Sequence, residues 1–281
     1  MKKIAMVGAG SMAEALISGM VENQLIDAKN IWATNRTNEK RLLKLNEQYG
    51  ITMTYDFKKL FDDADVVVLA MKPKDALSAI KQIRRFLTKE MLIISVLAGI
   101  SINSIEDLSG QRLAIARAMP NTSATVGKSA TAIAVNDMVS SHQLKTLKHL
   151  FGTVGLTTFV PEEQLDAVTG LSGSGPAYIY YLIEAMENSA VEVGLERQMA
   201  KELIVQTLIG AAEMVKVSTK TSRQLRKDVT SPGGTTEAGI QILEEHNVQH
   251  AFISCIKAAA IHSKKMGMAL NSQLNSAEQI S

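Results

Sequence analysis

Lys2-Lys3-Ile4-Ala5-Met6-Val7-Gly8-Ala9-Gly10-Ser11-Met12-Ala13 is the stretch that decides the fold. Lys2-Lys3-Ile4-Ala5-Met6-Val7 reads as a buried parallel strand. Gly8 and Gly10 then allow a tight turn and a close backbone approach to a pyrophosphate, while Ala13 takes the third small position of the pattern. A helix continues through Glu14-Ala15-Leu16-Ile17-Ser18-Gly19-Met20, and its first N–H groups and positive dipole end suit phosphate oxygens. Glycines spaced like this are weak evidence by themselves. Set between a strand and a helix, they become a specific signal for a dinucleotide site at Gly8, Gly10, Ser11 and Met12.

The 281 residues suffice for one large domain or two ordinary ones, and 46% hydrophobic residues can build a substantial core. Thirty basic residues nearly balance 28 acidic ones, so neither nucleic acid nor a membrane surface is an expected partner. No apolar run approaches the ~20 residues of a membrane span. The first residues lead directly into the strand and the nucleotide turn, which argues against a cleavable signal. The single cysteine, Cys255, excludes an internal disulfide and fits a reducing cytoplasm. It falls on an apolar helical stripe and is expected to be a small buried residue.

Working outward from the turn, strand and helix patterns alternate. Asn30–Thr34, Asp65–Ala70, Met91–Val96, Arg112–Ala116, Ala130–Val135 and Leu156–Val160 read as strands, with a polar helix from Lys40 to Gln48. Intervening helices imply right-handed crossovers and a doubly wound sheet. From Pro161 onward no strand pattern is evident. Helical periodicity covers 176–193, 197–216, 221–227, 235–245 and 248–266, and the polar tail from Asn271 is expected to fray. The expected fold is therefore α/β: a Rossmann-type, doubly wound, mostly parallel sheet over residues 1–160, followed by an all-helical domain over 161–281. The helical faces carry more apolar surface than a thin bundle can hide, which predicts a homodimer through that domain.

The end of the second strand bears on the choice of dinucleotide. NAD sites usually carry an acidic residue there for the ribose hydroxyls. This chain has Thr34-Asn35-Arg36-Thr37 instead, where Arg36 can pair with a 2′-phosphate and Thr37 can hydrogen-bond to it. The expected cofactor is NADPH, with NADH accepted less well. Ala70, Lys72 and Pro73 after one strand, and Ala98 and Gly99 after the next, should line the same crevice.

Two motifs lie in the second half. Gly170-Leu171-Ser172-Gly173-Ser174-Gly175-Pro176-Ala177-Tyr178 places small residues before a helix start that Pro176 suits. In Ser231-Pro232-Gly233-Gly234-Thr235-Thr236, a Pro-Gly-Gly turn leads into a helix whose free N–H groups, with the adjacent hydroxyls, suit a carboxylate. Together with Lys72-Pro73 and Arg117-Ala118-Met119-Pro120-Asn121-Thr122, these motifs resemble those of the pyrroline-5-carboxylate reductase family over nearly the whole chain. The resemblance implies that NAD(P)H delivers hydride to the imine carbon of 1-pyrroline-5-carboxylate to give L-proline. It also implies dimers through interlocked helical domains, often built into larger rings such as decamers. Four positions depart from the family pattern. Ser11 stands for a frequent Asn, Lys74 for Gln and Ser123 for Pro, while Asp56-Phe57 occupies a stretch where an Asn often lies near the adenine ribose.

On that reading the backbone N–H groups of Gly233, Gly234 and Thr235, with Ser231, take the substrate carboxylate. Thr236 carries over from the family as the hydroxyl beside the imine nitrogen. The ring must be held against the nicotinamide with reacting atoms roughly 3–3.5 Å apart. Hydride comes from the cofactor, so no metal is required. His246 and His250 straddle a helix break with no third ligand in an obvious position. A β-hydroxyacid dehydrogenase is disfavoured, because its catalytic lysine and asparagine would fall at Ile179 and Ile183. A non-catalytic NADPH sensor would not require the Ser231–Thr236 loop.

Overall fold

The computed structural model describes residues 1–278. Eight strands form one sheet in the order β3-β2-β1-β4-β5-β6-β7-β8. They are β1 (Ile4–Val7), β2 (Ile31–Thr34), β3 (Thr52–Met53), β4 (Val66–Leu69), β5 (Leu92–Ser95), β6 (Ala114–Met119), β7 (Ser129–Val135) and β8 (Gly155–Phe159). Seven helices accompany them: α1 (Ser11–Glu22), α2 (Glu39–Tyr49), α3 (Phe57–Phe61), α4 (Ala76–Ile83), α5 (Ile102–Ser109), α6 (Ser141–Gly152) and the short α7 (Leu165–Val168).

Both faces of the sheet are covered, so alternate residues of one strand enter different cores. Ile4 and Met6 of β1 pack with Leu42 and Leu45 of α2 and with Leu147, Leu150 and Phe151 of α6. Ala5 and Val7 pack on the other face with Ile80 and Ile83 of α4 and Ile105 of α5. This two-sided burial explains the unbroken apolar runs in the sequence, including Val66–Leu69.

All strand pairs are parallel except β6 with β7, which are antiparallel. The cause is the linker: only residues 120–128 join these strands, and a parallel return needs a crossover of about a dozen residues or more. The strictly alternating strand–crossover pattern thus fails once, at this step. The sequence also passes over β3, a two-residue strand without a periodic signal of its own.

By compactness the chain divides into two units. One comprises Met1–Ser174 and the chain from Ala258 onward; the other is Gly175–Lys257. The sequence places the domain boundary at residue 160, where the strands end. Residues 161–174 nonetheless pack on the sheet: Leu165 is buried beside Met119, Ala132 and Ala134, with Val168 against them. A turn of π-helix, Thr169–Gly173, follows α7.

The second unit holds α8 (Gly175–Glu192), α9 (Arg197–Val217), α10 (Ser222–Asp228), α11 (Thr235–Glu245) and the beginning of α12 (Val248–Glu278). The observed helix starts follow capping chemistry. Glu196 accepts from the Gln198 and Met199 N–H groups, and Thr221 forms a capping box with Gln224. The tail from Asn271, expected to fray, continues as α12 through Glu278; residues 279–281 lie outside the described residues. Cys255 is exposed in the single chain, not buried, because α12 has no neighbour over that face. No described helix is long and apolar enough to cross a membrane.

Candidate active site

In an open α/β sheet, the crevice for a ligand lies beyond the carboxyl ends of the strands where the connection order reverses. Here that point is between β1 and β4, neighbours in the sheet. The Gly8 N–H donates to Thr34 O at 2.9 Å and the Ala70 N–H to Val7 O at 2.9 Å, so the three strand ends remain knitted together into the turn. Gly8 has φ +118°, and a Cβ there would lie 2.4 Å from Ala70 O. No L side chain fits that position.

Gly10 is different: nothing lies within 4 Å of where its Cβ would be. It is the N-cap of α1 and provides no side-chain cap, so the first-turn N–H groups beyond it stay available. An open approach, free backbone donors and the dipole of a 12-residue helix fit the pyrophosphate of a dinucleotide. Glu14, the acid in that first turn, is tied away by Arg41, whose Nη2 lies 2.5 Å from its Oε2. Arg41 Nε also donates to Ala9 O at 2.8 Å. Arg41 therefore fixes the turn from the side. In the sequence it is one basic residue among several on a polar helix, and nothing local distinguishes it.

The β2 loop is ordered by Asn35. Its Oδ1 accepts from the Asn38 N–H at 2.9 Å and from Tyr55 Oη at 3.1 Å, and its Nδ2 donates to Asn38 O at 2.7 Å. Asn35 thus shapes the loop with its side chain, and Arg36 and Thr37 are the residues it presents, both exposed. Arg36 Nη1 lies 3.3 Å from Asp75 Oδ1. Beyond β4, Lys72 is exposed and precedes a 3-10 turn, Pro73–Asp75, that Pro73 initiates as expected.

Beyond β5, Ala98 packs against Met119 and Leu165. Gly267 of α12 passes so close to Gly99 that a Cβ at residue 267 would sit 3.2 Å from Gly99 O. The far end of this loop is held by Glu162. Its Oε1 accepts from the Ile102 N–H at 2.9 Å and from Arg117 Nη1 at 2.6 Å. Arg117 is on β6 with a side chain only 9% exposed, so this is a shielded ion pair. Beyond β6, Asn121 Nδ2 donates to Ser172 O at 3.0 Å, which ties the small-residue motif before Pro176 to the sheet edge.

In the helical unit, Ser231-Pro232-Gly233-Gly234 forms a β-turn closed by the Gly234 N–H donating to Ser231 O at 3.0 Å. Pro at its second position and Gly233 with φ +72° at its third are what such a turn requires. A Cβ on Gly234 would lie 2.6 Å from Ser231 Oγ. The Gly233 N–H is also engaged, donating to Glu237 Oε2 at 2.7 Å. Two of the donors assigned to the substrate carboxylate are therefore used within the loop, because turn closure and the first-turn acid of α11 claim them. The N–H groups of Thr235 and Thr236, in the first turn of α11, have no intrahelical acceptor. Gly234 caps that helix without a side chain, and the loop is exposed. His246 is the C-cap of α11 and His250 lies inside α12, on the two sides of the helix break. No group of three His, Cys, Asp or Glu is placed to hold a metal among the described residues.

A doubly wound sheet with this turn defines the class: a dinucleotide-binding fold, here followed in the chain by a helical unit. Residues 3–99 match a family model described as NADP oxidoreductase, coenzyme F420-dependent, and residues 162–266 match one described as pyrroline-5-carboxylate reductase dimerisation. The chain is 46% identical over 266 residues to pyrroline-5-carboxylate reductase 2 of Bacillus subtilis, covering 95% of each chain. It is 37% identical to the pyrroline-5-carboxylate reductase of Methanosarcina acetivorans, covering 95% of this chain and 98% of the relative. Among solved structures, a pyrroline-5-carboxylate reductase from Coxiella burnetii superposes with a TM-score of 0.87 at 36% identity, covering 94% of this chain and 98% of the other. A Plasmodium falciparum pyrroline carboxylate reductase with NADP bound superposes at 0.86 with 30% identity and the same coverage. The chain belongs to the pyrroline-5-carboxylate reductase family.

Proposed function

We propose that this chain reduces 1-pyrroline-5-carboxylate to L-proline with hydride from NADPH. The observation that carries the reading is that 46% identity to a pyrroline-5-carboxylate reductase runs over 95% of the chain, and both motifs lie within regions that family models match. The match over 3–99 contains the Gly8–Gly10 turn, and the match over 162–266 contains the Ser231–Thr236 loop. Division of labour follows: residues 1–160 bind the dinucleotide, and 161–281 bind the substrate and dimerise, with dimers assembling into a ring such as a decamer in the cytoplasm.

Bound NADPH supplies the hydride. Gly8, Gly10, Ser11 and Met12 hold its pyrophosphate, Arg36 and Thr37 its 2′-phosphate, and the loops at Ala70, Lys72, Pro73, Ala98 and Gly99 its remaining groups. Gly233 and Gly234 keep the substrate turn in shape while the free N–H groups of Thr235 and Thr236, with the Ser231 hydroxyl, take the carboxylate. The Thr236 hydroxyl donates to the lone pair of the imine nitrogen, where negative charge would otherwise build up as hydride reaches the C=N carbon. A neutral threonine is a poor acid, so its role is to position that nitrogen, and water replaces any proton it gives up.

The test is direct. Purified protein with NADPH and 1-pyrroline-5-carboxylate should lose reduced-nicotinamide absorbance and form an equal amount of L-proline. Absence of turnover with intact NADPH binding would defeat the reading in favour of a sensor.

A further inference from the structure

We propose that Asp75 moderates the preference for NADPH over NADH by competing for Arg36, an inference that rests on Arg36 being the partner of the 2′-phosphate. The strands that carry these two residues flank β1 on either side. Arg36 follows β2 and Asp75 follows β4. Their contact, Nη1 to Oδ1 at 3.3 Å, therefore reaches across the end of β1 from which the Gly8–Gly10 turn leaves. Two interstrand spacings, about 9–10 Å, are bridged there by two side chains.

Asp75 ends the 3-10 turn Pro73–Asp75 and has helical φ −95° and ψ −5°, so it is not placed to cap α4; its carboxylate makes no cap bond and reaches Arg36. The contact is a single long one, and the Arg36 side chain is 81% exposed against 30% for Asp75. An exposed pair of this kind is weak, whereas a phosphate can take an arginine fork through two parallel bonds. The guanidinium thus passes from Asp75 to the 2′-phosphate. Asp75 reduces the gain by the strength of the pair that must be given up. NADH has no 2′-phosphate to claim Arg36, so its binding is unaffected by that competition.

The experiment is a double-mutant cycle on the whole protein, reading kcat/KM for NADPH and for NADH. Asp75→Asn in the wild-type background should raise the NADPH-to-NADH ratio about twofold to fivefold, the scale of one exposed ion pair. In the Arg36→Gln background, Asp75→Asn should leave the ratio where Arg36→Gln alone puts it. If Arg36→Gln removes the NADPH preference but Asp75→Asn changes nothing, the competition is overturned and the cofactor assignment stands. If Asp75→Asn raises the ratio equally without Arg36, Asp75 acts on the phosphate directly and the competition is again overturned. If Arg36→Gln leaves the ratio unchanged, both the assignment and the inference fall.

Discussion

The sheet unit and the helical unit bury apolar side chains to very different degrees. The first encloses Phe151, Ile4, Met6, Leu16 and many other large side chains completely. The second, Gly175–Lys257, buries only Ala190, Ala200 and Ile204 among its apolar residues, and leaves Tyr181, Leu203, Ile209, Met214 and Ile242 more than half exposed. A helix face that apolar needs a cover. The sheet unit completes its core from one chain; the helical unit is half of something, in accord with its match to a dimerisation family model.

The largest expected effect attacks the incomplete half. Val205 and Ile209 lie four residues apart on α9, hence on one face, and both are exposed in the single chain. Charging that face with Ile209→Asp should turn the assembly into monomers by sedimentation and abolish activity. An unaltered oligomer would show that this face is not the covered one. Next in size, Phe151→Ala opens a cavity in the complete half and should cost about 3–5 kcal/mol of stability. Dissociation of the assembly should not accompany it, and a change of oligomeric state would blur the contrast.

Thr236→Ala tests the division of chemistry between the halves. It should lower kcat roughly ten- to a thousandfold, the scale of one aimed donor, with the NADPH dissociation constant unchanged by fluorescence titration. The smallest effect is at Glu196. Backbone hydrogen bonds from Gln198 and Met199 hold its carboxyl below the ordinary 4.5. A depressed carboxyl stabilises the fold above its unfolded value, and that contribution fades as pH falls through the folded one. Glu196→Gln should therefore lower the melting temperature slightly at neutral pH and leave it almost as it was in acid, where the native carboxyl is already protonated, so the acid limb flattens.

Features written in local periodicity are legible in the sequence itself. The run 4–7, the glycine turn, the helix over 235–245 and Pro73 as a starter each depend on neighbours within one turn or one strand. Long-range choices are not. The reversal at β6 and β7 hinges on the length of a loop, and β3 is too short to carry a period. In the Ser231–Thr236 loop the residue types point to an anion, yet only coordinates reveal that Glu237 and Ser231 O claim the Gly233 and Gly234 donors. Cys255 is exposed against expectation because an apolar stripe states that a face will be covered, not that the same chain covers it. Arg41 carries no local signal because its two partners, Ala9 and Glu14, lie in a different helix–turn segment.

Glu162 has a consequence for the order of assembly. It follows the last strand, yet it pins the start of α5, 60 residues earlier. A nascent chain emerging from the ribosome can set its first five strands without it, since domains fold as their segments appear. The loop through Gly99 gains its anchor only once residue 162 has been made. A fragment ended at residue 160 should keep the sheet while losing the rigidity of that loop, so the turn after β5 is among the last parts of the sheet unit to settle.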